Sequence, residues 1–276
     1  MAKVDIREIV TRKIIEGLEK GELPWQKPWT GGGAVNHQTG KSYRGLNQLV
    51  LSYVASSEGL VNRWVTMGII RDNGYRIKAG ASPQYIAFFK WVDQKDEDGN
   101  VENTFPLLRY YKVWSISQLE GEIEIPEATE FEPIERAEQI VAGMPNPPHI
   151  QFGGDSAVYF PTKDVVVTPI REQFKSPDAF YATLFHELAH STGHETRLNR
   201  EIENEFGDEK YGLEELVAEF TSAFLCAESG IDNTIENSTA YVQNWLKVLK
   251  NDRQMILTGA SLAQKASDYV LGIEWE

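Results

Sequence analysis

Residues 4–20 read as an amphipathic helix, where Val4, Ile6, Ile9, Val10, Ile14, Ile15 and Leu18 recur at helical spacing. Gly17 weakens that helix and Gly21 is a natural stop. Pro24 to Pro28 cannot be helical throughout, because proline lacks the amide donor and restricts the residue before it. Gly31-Gly32-Gly33 reads as a flexible loop. Gly45 to Ser57 reads as a second helix carrying Leu46, Leu49, Val50 and Tyr53. Tyr85 to Val92 is a β-branched and aromatic run, hence a strand. Polar residues 94–103 follow, with Asp98-Gly99 as the turn, and Leu107 to Val113 is the return strand.

The pattern then changes. Glu120, Glu122, Glu124, Glu127, Glu130, Glu132 and Glu135 are interrupted by Pro126 and Pro133. An acidic, proline-broken stretch is poor core material and good linker. We therefore expect a first domain over 1–122, a linker over 123–135 and a second domain over 136–276. The second domain reads as a helix (Glu135–Ala142), a proline-rich turn at 145–148, and strands near 149–152, 157–160 and 165–168. Helices follow over 177–191, 212–228, 237–249 and 251–271. The fold class is α+β: a mixed α/β first domain, then a mainly helical domain with a small sheet.

Composition narrows the class. No apolar run approaches the roughly 20 residues of a membrane span, so no membrane partner is expected. The chain lacks a basic-then-apolar start, and its one cysteine, Cys226, excludes a disulfide framework and a Cys-rich zinc site. A cytoplasmic location is expected. The net charge of −14 argues against a uniformly basic nucleic-acid binder. Residues 1–120, however, hold 16 Lys+Arg against 13 Asp+Glu, while residues 121–276 hold 11 against 28. Five of the seven tryptophans also lie in the first half, which points to two units with different partners.

His186-Glu187-Leu188-Ala189-His190 carries the clearest chemistry. Residues four apart on a helix lie one turn apart on one side, so His186 and His190 can share a metal ion. Glu187 projects beside them as a general base. Ser176 or Asp178 can cap this helix, with Pro177 in its first turn. A structural zinc site usually has four protein ligands, often cysteines, which this chain does not supply. A catalytic site needs a third ligand. The metzincin spacing fails, since Thr196 stands where a third histidine would be and His194 comes too early.

The other source is a carboxylate from the following helix. Leu213, Leu216, Val217, Phe220 and Phe224 form its apolar face, with three glutamates beside it. Glu215 is taken as third ligand, Glu219 as the partner of a histidine and Glu214 as a solvated bystander. Glu214 and Glu219 stay open as alternative ligands. Zinc fits two histidines and a carboxylate, and so do Mn2+ and Co2+. Tyr211 and His194 are two candidates for stabilising an oxyanion.

The first half carries a second pattern. Trp25, Lys27, Trp29, Lys41, Tyr43 and Arg44 interleave rings with cations, and Asn36 and Asn47 are polar readers. Trp64 and Lys78 extend the set. Rings that stack on bases beside cations that follow the backbone are what single-stranded nucleic acid requires. The competing reading places Trp25 and Trp29 in the core, where most tryptophans sit.

His186-Glu187-Leu188-Ala189-His190-Ser191-Thr192-Gly193-His194, then Arg197-Leu198-Asn199-Arg200, Tyr211 and Glu214-Glu215-Leu216-Val217-Ala218-Glu219, resembles the zincin-like peptidase domain of the ArdC antirestriction family. Pro24-Trp25-Gln26-Lys27-Pro28-Trp29, Asn36, Thr39-Gly40-Lys41-Ser42-Tyr43-Arg44-Gly45-Leu46-Asn47 and Trp64-Val65-Thr66 resemble that family's single-stranded-DNA-binding domain. The resemblance implies a gluzincin-type site on His186, Glu187, His190 and a glutamate of 214–219. It also implies a plasmid- or phage-borne protein that enters a recipient cell with single-stranded DNA and counters its restriction. A host restriction component is then a candidate protein substrate. The alternative is a protein that shields single-stranded DNA and whose metal site is structural or inactive.

Overall fold

The computed structural model describes residues 6–21, 23, 25, 33–95, 101–121, 123–125, 132–200, 202, 209–233, 245–246, 249–250, 252 and 254–274. Helix α1, Ile6–Glu19, follows the periodicity: Ile14 and Leu18 are buried. It closes at Gly21, whose φ of +75° favours glycine. Helix α2, Gly45–Glu58, is buried from Gln48 to Ala55. That apolar run has no polar face because α2 has two neighbours. Leu51, Val54 and Ala55 meet Ala34, Trp64, Ile86 and Val113 of the first half. Leu49 and Val50 face the second half.

Strands β1 (Val35–Asn36), β2 (Arg63–Thr66), β3 (Gln84–Lys95) and β4 (Val101–Ser115) form a sheet in the order β1-β2-β4-β3. β1 and β2 are parallel, and the other pairs are antiparallel. The sequence pattern found the β3–β4 hairpin but made both strands too short, since their outer ends are polar. Asp98-Gly99 lies outside the described residues. β1, β2 and helix α3 (Met67–Asp72) have no signal in the pattern. Two to six residues are too few to show a period, and β1 is defined by its pairing with Arg63 and Trp64.

In the second half, helix α4 (Pro133–Gly143) starts inside the expected linker, with Pro133 in its first turn. Residues 133–135 are therefore helix, because a proline that breaks a helix interior fits a helix start. Residues 126–131 lie outside the described set. Strands β5 (His149–Phe152), β6 (Val158–Phe160) and β7 (Val165–Thr168) make a sheet in the order β5-β7-β6. Helix α5, Pro177–Ser191, begins at Ser176, whose hydroxyl accepts from Ala179 N–H at 3.2 Å. Helices α6 (Glu209–Ser229) and α7 (Gln254–Val270) pack closely where Gly259 meets Leu216. The helix expected over 237–249 falls largely outside the described residues.

Beside the cores within each half, one cluster is shared between them. Ile14, Leu18, Trp25, Leu49 and Val50 share one cluster with Leu216, Val217, Phe220, Trp245, Ile256 and Ala260. Arg44 pairs with Asp268 of α7, and Gly45 N–H donates to Gln264 at 2.6 Å. Among the described residues, no helix is long and apolar enough to cross a membrane.

Candidate metal centre

α5 sets His186 and His190 one turn apart, with ring centroids 4.8 Å apart and Nε2 atoms 3.2 Å apart. Glu215 faces both from α6. Its Oε2 lies 3.7 Å from His186 Nε2 and its Oε1 3.6 Å from His190 Nε2. Ligands held at roughly 2.0–2.1 Å around a tetrahedral ion stand about 3.3 Å from one another. The three side chains are thus spaced to hold a divalent cation.

Each histidine is backed by a carboxylate on its other nitrogen. His190 Nδ1 lies 3.2 Å from Glu214 Oε1. Arg200 grips that carboxylate from Nε at 3.0 Å and Nη2 at 2.8 Å. The same guanidinium donates to Ala189 O and Thr192 Oγ1 at the end of α5. Glu214 is therefore no solvated bystander. It is buried, and a buried carboxylate stands only where donors meet it. Behind the other ligand, Glu219 Oε1 lies 3.6 Å from His186 Nδ1. His186 Nδ1 is buried and has no hydrogen bond among the described residues. Carboxylates at Nδ1 place the proton there and leave Nε2 free to coordinate.

The electrostatics favour one positive charge in this cluster. Burial opposes charge on His190, but the hydrogen bond to Glu214 and the nearby Glu215 and Glu187 outweigh it and push its pKa up to about 9. Burial, then the neighbouring His190, pushes His186 well down. Burial raises Glu187, and Glu215 adds to the rise, against His190 and a backbone hydrogen bond from Tyr159. Surroundings that favour positive charge on His190 also favour a cation, whose binding to histidine requires the neutral imidazole.

Tyr211 lies on α6 one turn before Glu215. His194 lies past the end of α5 with Nδ1 2.9 Å from Thr196 Oγ1. The loop carrying it is fastened by Arg197, which binds Asp164 through Nη1 at 2.8 Å and Nη2 at 2.7 Å.

The first-half residues are scattered by the fold. Trp25 and Trp64 are buried, 1% and 0% exposed, so neither can stack on a base. Trp64 Nε1 donates to Asn62 Oδ1 at 2.9 Å. Each ring completes a core that its own segment could not fill. Asn47 bonds both backbone groups of Ala87, and Asn36 Oδ1 accepts from Gln38 and Thr39 N–H in a tight turn. Tyr43 is half-buried, and burial raises its pKa. Arg44 reaches Asp268. Lys41 and Lys78 are exposed, and Lys78 Nζ donates to Ser117 O at 2.9 Å. Lys27 and Trp29 lie outside the described residues. Phe88 and Tyr111, which are not among the candidates read from the pattern, stand 46% and 41% exposed on the hairpin, edge to face at 6.4 Å. Exposed Arg109 lies opposite Phe88 in the register. The pattern also missed Arg200, whose role no local spacing reveals.

Residues 4–114 match the model of the N-terminal domain of anti-restriction factor ArdC, and residues 135–262 match a zincin-like metallopeptidase model. The metal-free crystal structure of antirestriction ArdC from plasmid R388 is similar over 97% of each chain, at 32% identity and a TM-score of 0.78. This chain belongs to the ArdC antirestriction family. The Mn(II)-bound structure of the R388 ArdC is similar over 98% of each chain, at 31% identity and a TM-score of 0.77. An uncharacterized protein of Sinorhizobium fredii, y4eC, is 33% identical over 96% of this chain and 91% of its own length. Two Escherichia coli DNA primases TraC are 34% identical over 99% of this chain, which spans only 20% and 27% of their lengths. The ArdC fold here thus pairs an ArdC N-terminal domain with a zincin-like domain whose donor set suits a divalent metal.

Proposed function

We propose that this ArdC-family chain is a metal-dependent peptidase whose first half binds single-stranded DNA, and that both serve to protect incoming DNA from restriction. One observation carries the reading: His186, His190 and Glu215 converge within 4.8 Å, with Glu187 beside them on the same helix. Among the described residues the cluster has three protein donors, whereas a structural site usually has four. Zinc is the ion that the zincin-like fold favours, and manganese is supported by the R388 relative.

When bound, the metal supplies Lewis acidity to the scissile carbonyl and a more acidic water. Glu187 accepts the proton of the attacking water at its carboxylate and delivers it to the leaving amine as the C–N bond breaks. Its burial favours the first of these transfers, since a raised pKa makes a carboxylate a better base. Glu214 and Glu219 keep the two imidazoles oriented. A component of the recipient's restriction machinery is the protein substrate this reading implies. On the other half, exposed Phe88, Tyr111 and Arg109 combine rings and a cation on one face of the hairpin, which supports stacking on single-stranded bases.

Glu187→Gln tests the reading. Metal-dependent cleavage of an unfolded protein such as casein should fall by about 10²–10⁴-fold. Binding of labelled single-stranded DNA should persist, exceed duplex binding and weaken with salt. Protection of transferred DNA in a recipient cell should be lost. Full protection by the variant would overturn the peptidase part, and equal binding of duplex would overturn the single-strand part.

A further inference from the structure

Trp25 belongs to the first half in sequence and to the metal centre in space. Its ring is sealed edge to face against Phe220 at 5.0 Å and Trp245 at 5.3 Å. Its backbone is fixed as well, since Asn233 Nδ2 donates to Trp25 O at 3.1 Å. The indole therefore has little freedom, and its one polar atom points at a single target. Nε1 donates to Glu219 Oε2 at 3.1 Å. Glu219 is 1% exposed, and its other oxygen, Oε1, lies 3.6 Å from His186 Nδ1. Beyond that ring, His186 Nε2 faces His190 and Glu215. A line of polar atoms thus leads from an N-terminal indole to a metal-facing nitrogen, its widest step the 3.6 Å between Glu219 Oε1 and His186 Nδ1.

A carboxylate has two oxygens in one rigid plane. When one is tied to a fixed donor, the direction of the other is set. A carboxylate set toward Nδ1 decides which imidazole nitrogen carries the proton and how the ring is turned, and metal affinity depends on both. We propose that Trp25 is a positioning residue of the metal centre: it aims Glu219 at His186, so that the first half of the chain completes a site whose ligands all lie in the second. This rests on the reading of His186, His190 and Glu215 as the ligands. It goes beyond that reading by making the ArdC N-terminal domain part of the metal site.

The test is calorimetric titration of the metal-stripped full chain with Mn2+. Wild type should bind one equivalent, and failure to bind would overturn the ligand assignment itself. Trp25→Phe keeps a ring in the core and removes the N–H. It should weaken Mn2+ binding about tenfold. Glu219→Gln should also weaken it about tenfold. Adding Trp25→Phe to Glu219→Gln should then cost less than about twofold more, because both changes cut the same line. Wild-type affinity in Trp25→Phe, with wild type itself binding, overturns the proposal. A full tenfold loss in the Glu219→Gln background also overturns it, since Trp25 would then act through packing alone. Should Trp25→Phe fail to fold, Glu219→Gln alone decides: wild-type affinity there breaks the line.

Discussion

The metal centre and the β3–β4 hairpin place their functional groups in opposite ways. At the centre most polar groups have a built partner: His190 is backed by Glu214, Glu214 by Arg200, and Glu219 by Trp25. On the hairpin, Phe88, Tyr111 and Arg109 are exposed on two paired strands, with the two rings edge to face. A buried polar network is costly to leave half-made, so each of its members matters to the others. An exposed platform tolerates the loss of one ring, because no buried polar group is left without its partner. On the proposed reading, the difference separates a site for one fixed ion from a surface for a mobile, repetitive polymer.

The largest expected effect breaks the buried side of that comparison. Arg200→Ala leaves the Glu214 carboxylate buried without its guanidinium, and denaturant unfolding of the metal-free chain should show a loss of about 3–5 kcal/mol. A loss under 1 kcal/mol would mean that the centre is as forgiving as a surface. Next come the rings. Phe88→Ala and Tyr111→Ala should each weaken single-stranded DNA binding by about 1–3 kcal/mol in a fluorescence titration, with stability little changed. Arg109→Ala should shallow the salt dependence by about one phosphate contact. Unchanged affinity in both ring variants would place the DNA surface elsewhere.

The smallest effect concerns the frame of the loop between α5 and α6. Arg197, by its hydrogen bonds, holds the Asp164 carboxyl below the usual carboxylate range. A group whose pKa falls on folding stabilises the fold above its unfolded pKa, near 4, and that stability fades as pH falls through the folded value. Asp164→Asn should therefore lower the melting temperature slightly at neutral pH and flatten its decline between about pH 4 and pH 2. A decline as steep as wild type would show that other carboxylates govern the acid limb.

The metal motif was legible because helical geometry is local. Once α5 forms, the spacing of His186 and His190 follows from 3.6 residues per turn, and Glu215 needs only one neighbouring helix. The long helices and the hairpin were legible for the same reason, since each repeats its period several times. The parts that stayed hidden depend on residues far apart in the chain. Whether a tryptophan is a platform or a core residue is settled by what covers it, and Trp25 is covered by Phe220 and Trp245. Neighbouring glutamates on α6 are alike in sequence, but packing gives Glu214 an arginine, Glu215 the two histidines and Glu219 an indole. The sequence by itself determined the helices, the hairpin and the paired histidines, through periodicity. Only the tertiary structure decided which aromatics are exposed, that Glu214 is buried behind a histidine and that the two apparent domains share a core cluster, because burial depends on the whole chain at once.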